Sequence, residues 1–442
     1  MYFKYDIPKE FEWFPQSRYG LFIHWGPYSM TGHGEQALFR DHMDQSEYEK
    51  MACSWNPLKY NPKEWAKIIK ASGFKYACLT TRHHDGYCLW DSEYTDYTSM
   101  KQAPKRDFVK EYTDALREEG LKVGLYYSWC DWRIPAYYEG PNKNPEGWIK
   151  MQEYIHNQVR ELCSKYGKID YFFFDGVWPR CAEDLKSHEL VSKMREWQPG
   201  IIINNRLGYS TDKDQLLKHG GGSEEGDFGT PEHLVNPENR LWESNQVSYW
   251  RWWGYTSGER WKSASELLDT LCTCASKGGN LIMNIGPTPD GEFQQEFQER
   301  AFAIGRWLDK YGESIYGSEG GELTEALTYG FQTMKGNNLY LIIRFWDGKP
   351  VFRFADLTNR VSQVELMTTK TNLNFRQEGD ILYIEGLPEK TEESLFPVIK
   401  ITCEGKPETN SWGEERLWEG DPQRVADWAV KRGNNVNFHV NK

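Results

Sequence analysis

No run of apolar residues in this chain of 442 approaches the 18 or so that a membrane-spanning helix needs, so no transmembrane segment is expected. The start, MYFKYDIPKE, lacks a basic region followed by an apolar stretch; no secretory leader is read there, and a cytoplasmic protein is expected. Long Lys/Arg clusters are missing too. With a net charge of -12, this argues against a nucleic-acid partner. The nine cysteines are odd in number and lack disulfide-scaffold spacing, as suits buried free thiols in a reducing compartment. No glycine fingerprint follows the first strand pattern, which leaves a dinucleotide fold with little support. Neither an HExxH motif nor a spaced cysteine pair is present, and neither a metal nor a cofactor is expected.

Aromatic residues, by contrast, are plentiful: 20 Trp and 26 Tyr in a chain that is 15% aromatic. Such flat side chains fill cores and also make platforms for sugar rings. Through residue 318, short apolar runs alternate with amphipathic segments. The strand candidates are 19–25, 75–81, 122–128, 169–175, 200–206, 240–244 and 280–286. Between them lie helix patterns such as PKEWAKIIKASG and ASELLDTLCTCASKGG, with Pro near helix starts and Gly beyond helix ends. This alternation predicts parallel strands, and seven runs with an irregular eighth predict an α/β fold of the (β/α)8-barrel type over residues 1–318. Strands without intervening helices follow, predicting a β-sandwich over 319–405, and residues 406–442 read as a charged, Trp-containing tail.

In such a barrel the chemistry sits at the C-terminal ends of the strands. Nearly every strand candidate ends in a polar side chain: His24, His83 and His84, Tyr127, Asp175, Arg206, Glu243 and Asn284. One such residue is usually structural; seven strands ending this way read as a site. Asp175 closes the aromatic run IDYFFFD, and Glu243 lies on the sixth candidate strand. Two carboxylates on different strand ends suggest glycoside hydrolysis, one as nucleophile and one as acid/base. The histidines of TTRHHDG are adjacent, so strand alternation is expected to point them to opposite faces and to disfavour a shared metal. As neutral groups they suit sugar hydroxyls.

The motifs RYGLFIHWG, YACLTTRHHDGYCLWDS, GLYYSW, FFFDGVW, NNRLG, LWES followed by WGY, and GGNLIMNIGPTPDG resemble glycoside hydrolase family 29, the retaining α-L-fucosidases. The resemblance runs across the barrel and into the β-sandwich. It implies exo-acting hydrolysis of terminal α-L-fucosyl residues from glycans or glycosides through a covalent fucosyl-enzyme intermediate. Asp175 then matches the nucleophile and Glu243 the acid/base, with Glu35, Asp85, Glu224 and Glu225 as alternatives for the latter. His24, Glu35, His83, His84, Tyr127 and Arg206 match positions lining the fucose subsite. Gln36 and Phe173 stand where members often carry Trp. A non-catalytic sugar binder and a glycosidase for a related sugar, such as an α-L-galactosidase, are the rival readings. The natural linkage, the aglycone and homo-oligomerisation stay open.

Overall fold

The computed structural model describes residues 7–209, 226–320, 329–355 and 357–408. The chain divides into two compact units, the first running from Phe3 to Ser318 and the second beginning at Glu319.

The first unit is built on eight parallel strands: β1 (Tyr19–Ile23), β2 (Tyr76–Arg82), β3 (Lys122–Ser128), β4 (Tyr171–Asp175), β5 (Ile202–Ile203), β6 (Phe228–Gly229), β7 (Leu241–Val247) and β8 (Asn280–Ile285). They pair in the order β5-β4-β3-β2-β1-β8-β7-β6, and a parallel bridge between Asn204 and Phe228 joins the two edges into a barrel. The seven expected runs all contribute strands. The irregular eighth is β6, only two residues long, so the run at 240–244 belongs to the seventh strand. That strand also extends to Val247, because Ser244–Val247 pair with Leu281–Asn284 of β8 although they look like a polar loop in sequence.

The helices between strands begin where side chains satisfy free backbone N–H groups. Asn61 accepts from Glu64 N ahead of helix Pro62–Ala71, and Asp107 accepts from Lys110 N ahead of Phe108–Glu118. Ser263 and Glu266 form a capping box on Ala264–Ser276. Each helix turns one apolar stripe to the barrel, as with Trp65, Ala66, Ile68 and Ile69 of the first.

Inside the barrel the side chains stack in layers. Tyr76 and Tyr171 make the lowest layer with Phe14, whose ring lies 4.9 Å from Phe228 and 5.8 Å from Tyr76 and plugs the N-terminal end. Phe22, Tyr126 and Phe173 form the layer above, with Phe22 5.0 Å from Phe173 and Tyr126 stacked on Phe173 at 6.0 Å. Above these aromatics the barrel opens.

The second unit is antiparallel. Strands β9 (Glu319–Gly320), β10 (Gly330–Lys335), β11 (Asn338–Ile343), β12 (Val351–Phe354), β13 (Val361–Leu366), β14 (Thr371–Asn372), β15 (Asn374–Glu378), β16 (Ile381–Glu385) and β17 (Val398–Cys403) form two sheets. Their orders are β14-β13-β17-β11-β10-β9 and β12-β16-β15. Leu339, Leu341, Ile399 and Ile401 of one sheet pack with Phe354, Leu382 and Ile384 of the other, which is the sandwich expected of the alternating strands. Most of the charged tail, from 409 on, lies outside the described residues.

Candidate active site

At the open end of the barrel is a cavity of about 330 Å³, walled by Phe22, His24, Glu35, Gln36, Arg40, His83, His84, Tyr126, Phe173, Asp175, Trp178, Arg206, Glu232, Asn245 and Trp253. A hollow of about 750 Å³ on the second unit is larger, but its walls carry surface side chains such as Thr358, Arg360 and Gln377 and no histidine. Size and chemistry therefore part company, and the barrel mouth holds the chemistry.

Asp175 ends β4 on the same face as Tyr171 and Phe173, so strand alternation lifts its carboxylate to the rim above two aromatic layers. Arg206 Nη1 donates to Oδ1 at 2.7 Å, and the Tyr126 hydroxyl donates to Oδ2 at 3.0 Å. Burial alone would raise the Asp175 pKa. The charge and hydrogen bond of Arg206, with help from His84 and the Gly176 N–H, outweigh it and hold the carboxyl below its ordinary value. Asp175 is thus an ionised, oriented carboxylate. Gly176 follows in the left-handed region at φ 71°, where a Cβ would lie 2.8 Å from Ser128 Oγ and 3.0 Å from His84 Cε1. Only glycine lets the chain leave the strand so close to the site.

Arg206 reaches a second carboxylate. Its Nη2 donates to Glu232 Oε2 at 2.8 Å, while Nε donates to Thr230 Oγ1 at 3.2 Å and the guanidinium lies 5.2 Å over Phe173. One rigid fork therefore holds Asp175 and Glu232 at the same mouth. Glu232 follows the short strand β6 and is fixed by a parallel bridge to Asn245 of β7.

Burial lowers the pKa of each of the three cavity histidines, His24, His83 and His84. His24 Nδ1 lies 2.6 Å from Asn284 Oδ1, and Asn284 Nδ2 donates to Trp253 O at 2.6 Å, so His24 carries its proton on Nδ1 and keeps Nε2 as an acceptor. Burial lowers its pKa to about 3. Ser128 Oγ donates to Cys130 O at 2.8 Å and so accepts from His84 Nδ1 at 2.7 Å. Burial lowers the His84 pKa to about 4. His83 and His84 both line the cavity, with ring centroids 4.1 Å apart, which corrects the expectation of opposite faces. They lie beyond β2, after a register shift at Thr80/Arg82, where alternation no longer applies. Among the described residues no group of three His, Cys, Asp or Glu side chains is arranged to hold a metal ion.

Glu35 is buried, its Oε2 accepting from Trp253 N at 3.0 Å and Gly254 N at 2.8 Å while Oε1 has no hydrogen-bond partner among the described residues. Burial raises its pKa, against those backbone bonds. Phe22, Phe173 and Trp253 supply an apolar patch to the same cavity.

Two expected site residues are not in the cavity. Tyr127 pairs with Phe174 on the outward face of the barrel wall. Its hydroxyl donates to Gln158 Oε1 at 2.8 Å, and its ring lies under the Arg82 guanidinium. The inward residue is Tyr126. Glu243 is fully buried at the barrel floor, opposite the first residue of β8, with both oxygens taken by the Tyr76 and Tyr171 hydroxyls. Tyr171 stands four residues below Asp175, about 13 Å at 3.3 Å per residue, with the Phe22–Tyr126–Phe173 layer between. The structure therefore does not bring Glu243 to Asp175. The inward residue of β7 that reaches the cavity is Asn245, two positions further on. Of the alternatives, Asp85 is buried outside the cavity wall and receives the Tyr48 hydroxyl at 2.7 Å; Glu224 and Glu225 lie outside the described residues. Glu232, in GDFGTPEH, follows no apolar run and so carries no strand-end signal in the sequence.

The family model described as Alpha-L-fucosidase matches residues 5–313. The chain belongs to the alpha-L-fucosidase family. It is 31% identical to human plasma alpha-L-fucosidase over 331 residues, which is 69% of this chain and 68% of that protein. Among solved structures it resembles alpha-L-fucosidase isoenzyme 1 from Paenibacillus thiaminolyticus, with 34% identity, a TM-score of 0.81, and coverage of 90% of this chain and 99% of the other. An alpha-L-fucosidase from Bacteroides thetaiotaomicron, captured as a covalent intermediate with 2-fluoro-fucosyl fluoride, matches with 27% identity and a TM-score of 0.82, covering 91% of this chain and 98% of that one. Both similarities extend over the barrel and the sandwich, so this alpha-L-fucosidase family member carries the fold expected of its sequence.

Proposed function

We propose that this chain hydrolyses terminal α-L-fucosides with retention, Asp175 acting as nucleophile and Glu232 as acid/base. The observation that carries this reading is the Arg206 fork, which holds both carboxylates at one cavity mouth. In the first step an Asp175 oxygen bonds to the anomeric carbon, the bond to the leaving oxygen breaks, and the Glu232 carboxyl gives that oxygen its proton. In the second step water attacks the anomeric carbon, the ester to Asp175 breaks, and Glu232 takes the water proton.

The remaining residues suit the sugar. A 6-deoxy hexose presents a methyl group, for which Phe22, Phe173 and Trp253 provide the apolar patch, and three free hydroxyls. His24 Nε2 and Glu35 Oε1 are acceptors for hydroxyl protons, and Glu35 Oε1 and His83 Nδ1 have no hydrogen-bond partner among the described residues. The test is kcat/KM for Glu232→Gln on an aryl fucoside and on a fucosyl disaccharide across pH. The disaccharide, whose leaving group needs the proton, should lose roughly 10²–10⁴-fold, and the basic limb of its profile should disappear. Equal losses on both substrates with the limb intact would remove Glu232 from this role.

A further inference from the structure

Beside the cavity mouth, Phe39 is 65% exposed and stacks on Trp132 with centroids 5.7 Å apart and an interplanar angle of 28°. Trp132 lies 5.4 Å from His84, a wall of the cavity, and Trp178, itself 47% exposed, lies 5.9 Å from the same imidazole. Three large rings thus run outward from the site instead of packing into the core.

They are also held in place. Trp132 N donates to His84 O at 2.8 Å. The next residue, Arg133, grips the buried Asp131 through Nε at 3.0 Å and Nη2 at 2.7 Å, and its Nη2 reaches Gly86 O at 3.3 Å. Phe39 sits on the short helix Ala37–Arg40, whose Ala37 and Leu38 are buried, and Gln36 and Arg40 on either side line the cavity. Arg40 Nε donates to Gln36 Oε1 at 2.9 Å, which leaves further N–H groups of both at the mouth.

We propose that Phe39 and Trp132, with Trp178, Gln36 and Arg40, form a subsite for the sugar from which fucose is released. This deepens the fucosidase reading and rests on it. A cavity of about 330 Å³ suits one monosaccharide. The group attached to its anomeric carbon must therefore emerge at this mouth. A pyranose presents an apolar C–H face edged by hydroxyls, which matches flat rings flanked by an amide and a guanidinium.

The experiment compares α-L-fucosyl fluoride, which has no leaving group to stack, with fucosyl disaccharides of α1,2, α1,3, α1,4 and α1,6 linkage, in wild type, Phe39→Ala and Phe39→Trp. Phe39 is largely exposed, so its truncation leaves the fold intact. For Phe39→Ala, kcat/KM on the best disaccharide should fall by roughly tenfold, with fluoride hydrolysis unchanged and Phe39→Trp restoring the disaccharide rate. Equal effects on fluoride and disaccharide, or no effect on either, would overturn the subsite. A wild type that cleaves the fluoride but no disaccharide would overturn it while sparing the fucosidase reading. Failure to cleave the fluoride would overturn both.

Discussion

Replacing Glu243 by Gln separates the floor of the barrel from its mouth. Its carboxyl is fully buried and accepts from the Tyr76 and Tyr171 hydroxyls, so burial, partly offset by those hydrogen bonds, raises its pKa from the ordinary 4.5 to about 8. The folded chain keeps this proton over a pH range in which the unfolded chain has lost it. The stability it contributes is complete below about pH 4.5 and is lost as pH rises through about 8. At 1.36 kcal/mol per pH unit, that span corresponds to about 5 kcal/mol. Gln has the same shape, can accept from one tyrosine hydroxyl and donate to the other, and does not ionise. Unfolding of wild type and Glu243→Gln by urea at pH 5, 6, 7 and 8 should show wild type losing stability relative to the variant by several kcal/mol, most of it above pH 6. Over the same range kcat/KM on a fucosyl disaccharide should stay within about threefold of wild type. A loss of 10²–10⁴-fold on that substrate, the range for removing a general acid, would refute the placement of Glu243 as a structural group. A stability difference flat with pH would refute its protonation.

At the mouth, Asp175→Gly should nearly abolish turnover, and added azide should restore part of it with formation of β-L-fucosyl azide; recovery without the azide product would speak against Asp175 as nucleophile. Glu232→Ala should hold a larger fraction of fucosyl-enzyme in the steady state with a nitrophenyl fucoside, since deglycosylation loses its base; an unchanged fraction by quenched-flow mass measurement would exclude Glu232 from that step. Tyr126→Phe removes a hydroxyl bonded to an ionised carboxylate and should lower kcat/KM by roughly tenfold or more, given about 1.5–3 kcal/mol for such bonds. Tyr127→Phe should leave kcat/KM unchanged and cost about 1 kcal/mol of stability through its lost bond to Gln158; the reverse pattern would place Tyr127, not Tyr126, at the sugar.

Much of this arrangement was legible in the sequence. The strand runs, the rim residues His24, His83, His84, Asp175 and Arg206, and the change to sandwich strands follow from local pattern, because barrel strands buried on both faces read as continuous apolar runs. The same burial hides their phase. In KVGLYYS six of seven residues are buried, so nothing in the pattern distinguishes inward Tyr126 from outward Tyr127. Only the pairing of Tyr126 with Phe173 and of Ser128 with Asp175 does so. Depth is hidden likewise on β7: WESNQ is polar, yet every residue of that strand is buried, and Glu243 lies near its start rather than its end. Glu232 comes from the connection after a two-residue strand, and its position depends on Arg206 and on the bridge to Asn245, contacts between segments distant in sequence.

The most direct measurement is to incubate the protein with 2-fluoro-fucosyl fluoride, digest it, and locate the modified residue by mass spectrometry. The electron-withdrawing fluorine slows both steps, while the fluoride leaving group keeps the first fast enough for the ester to accumulate. The account predicts one 2-fluoro-fucosyl group per chain, esterified to Asp175 in the peptide containing IDYFFFDGVW. A label on Glu35, Glu232 or Glu243, or no covalent adduct while the reagent is turned over, would contradict it.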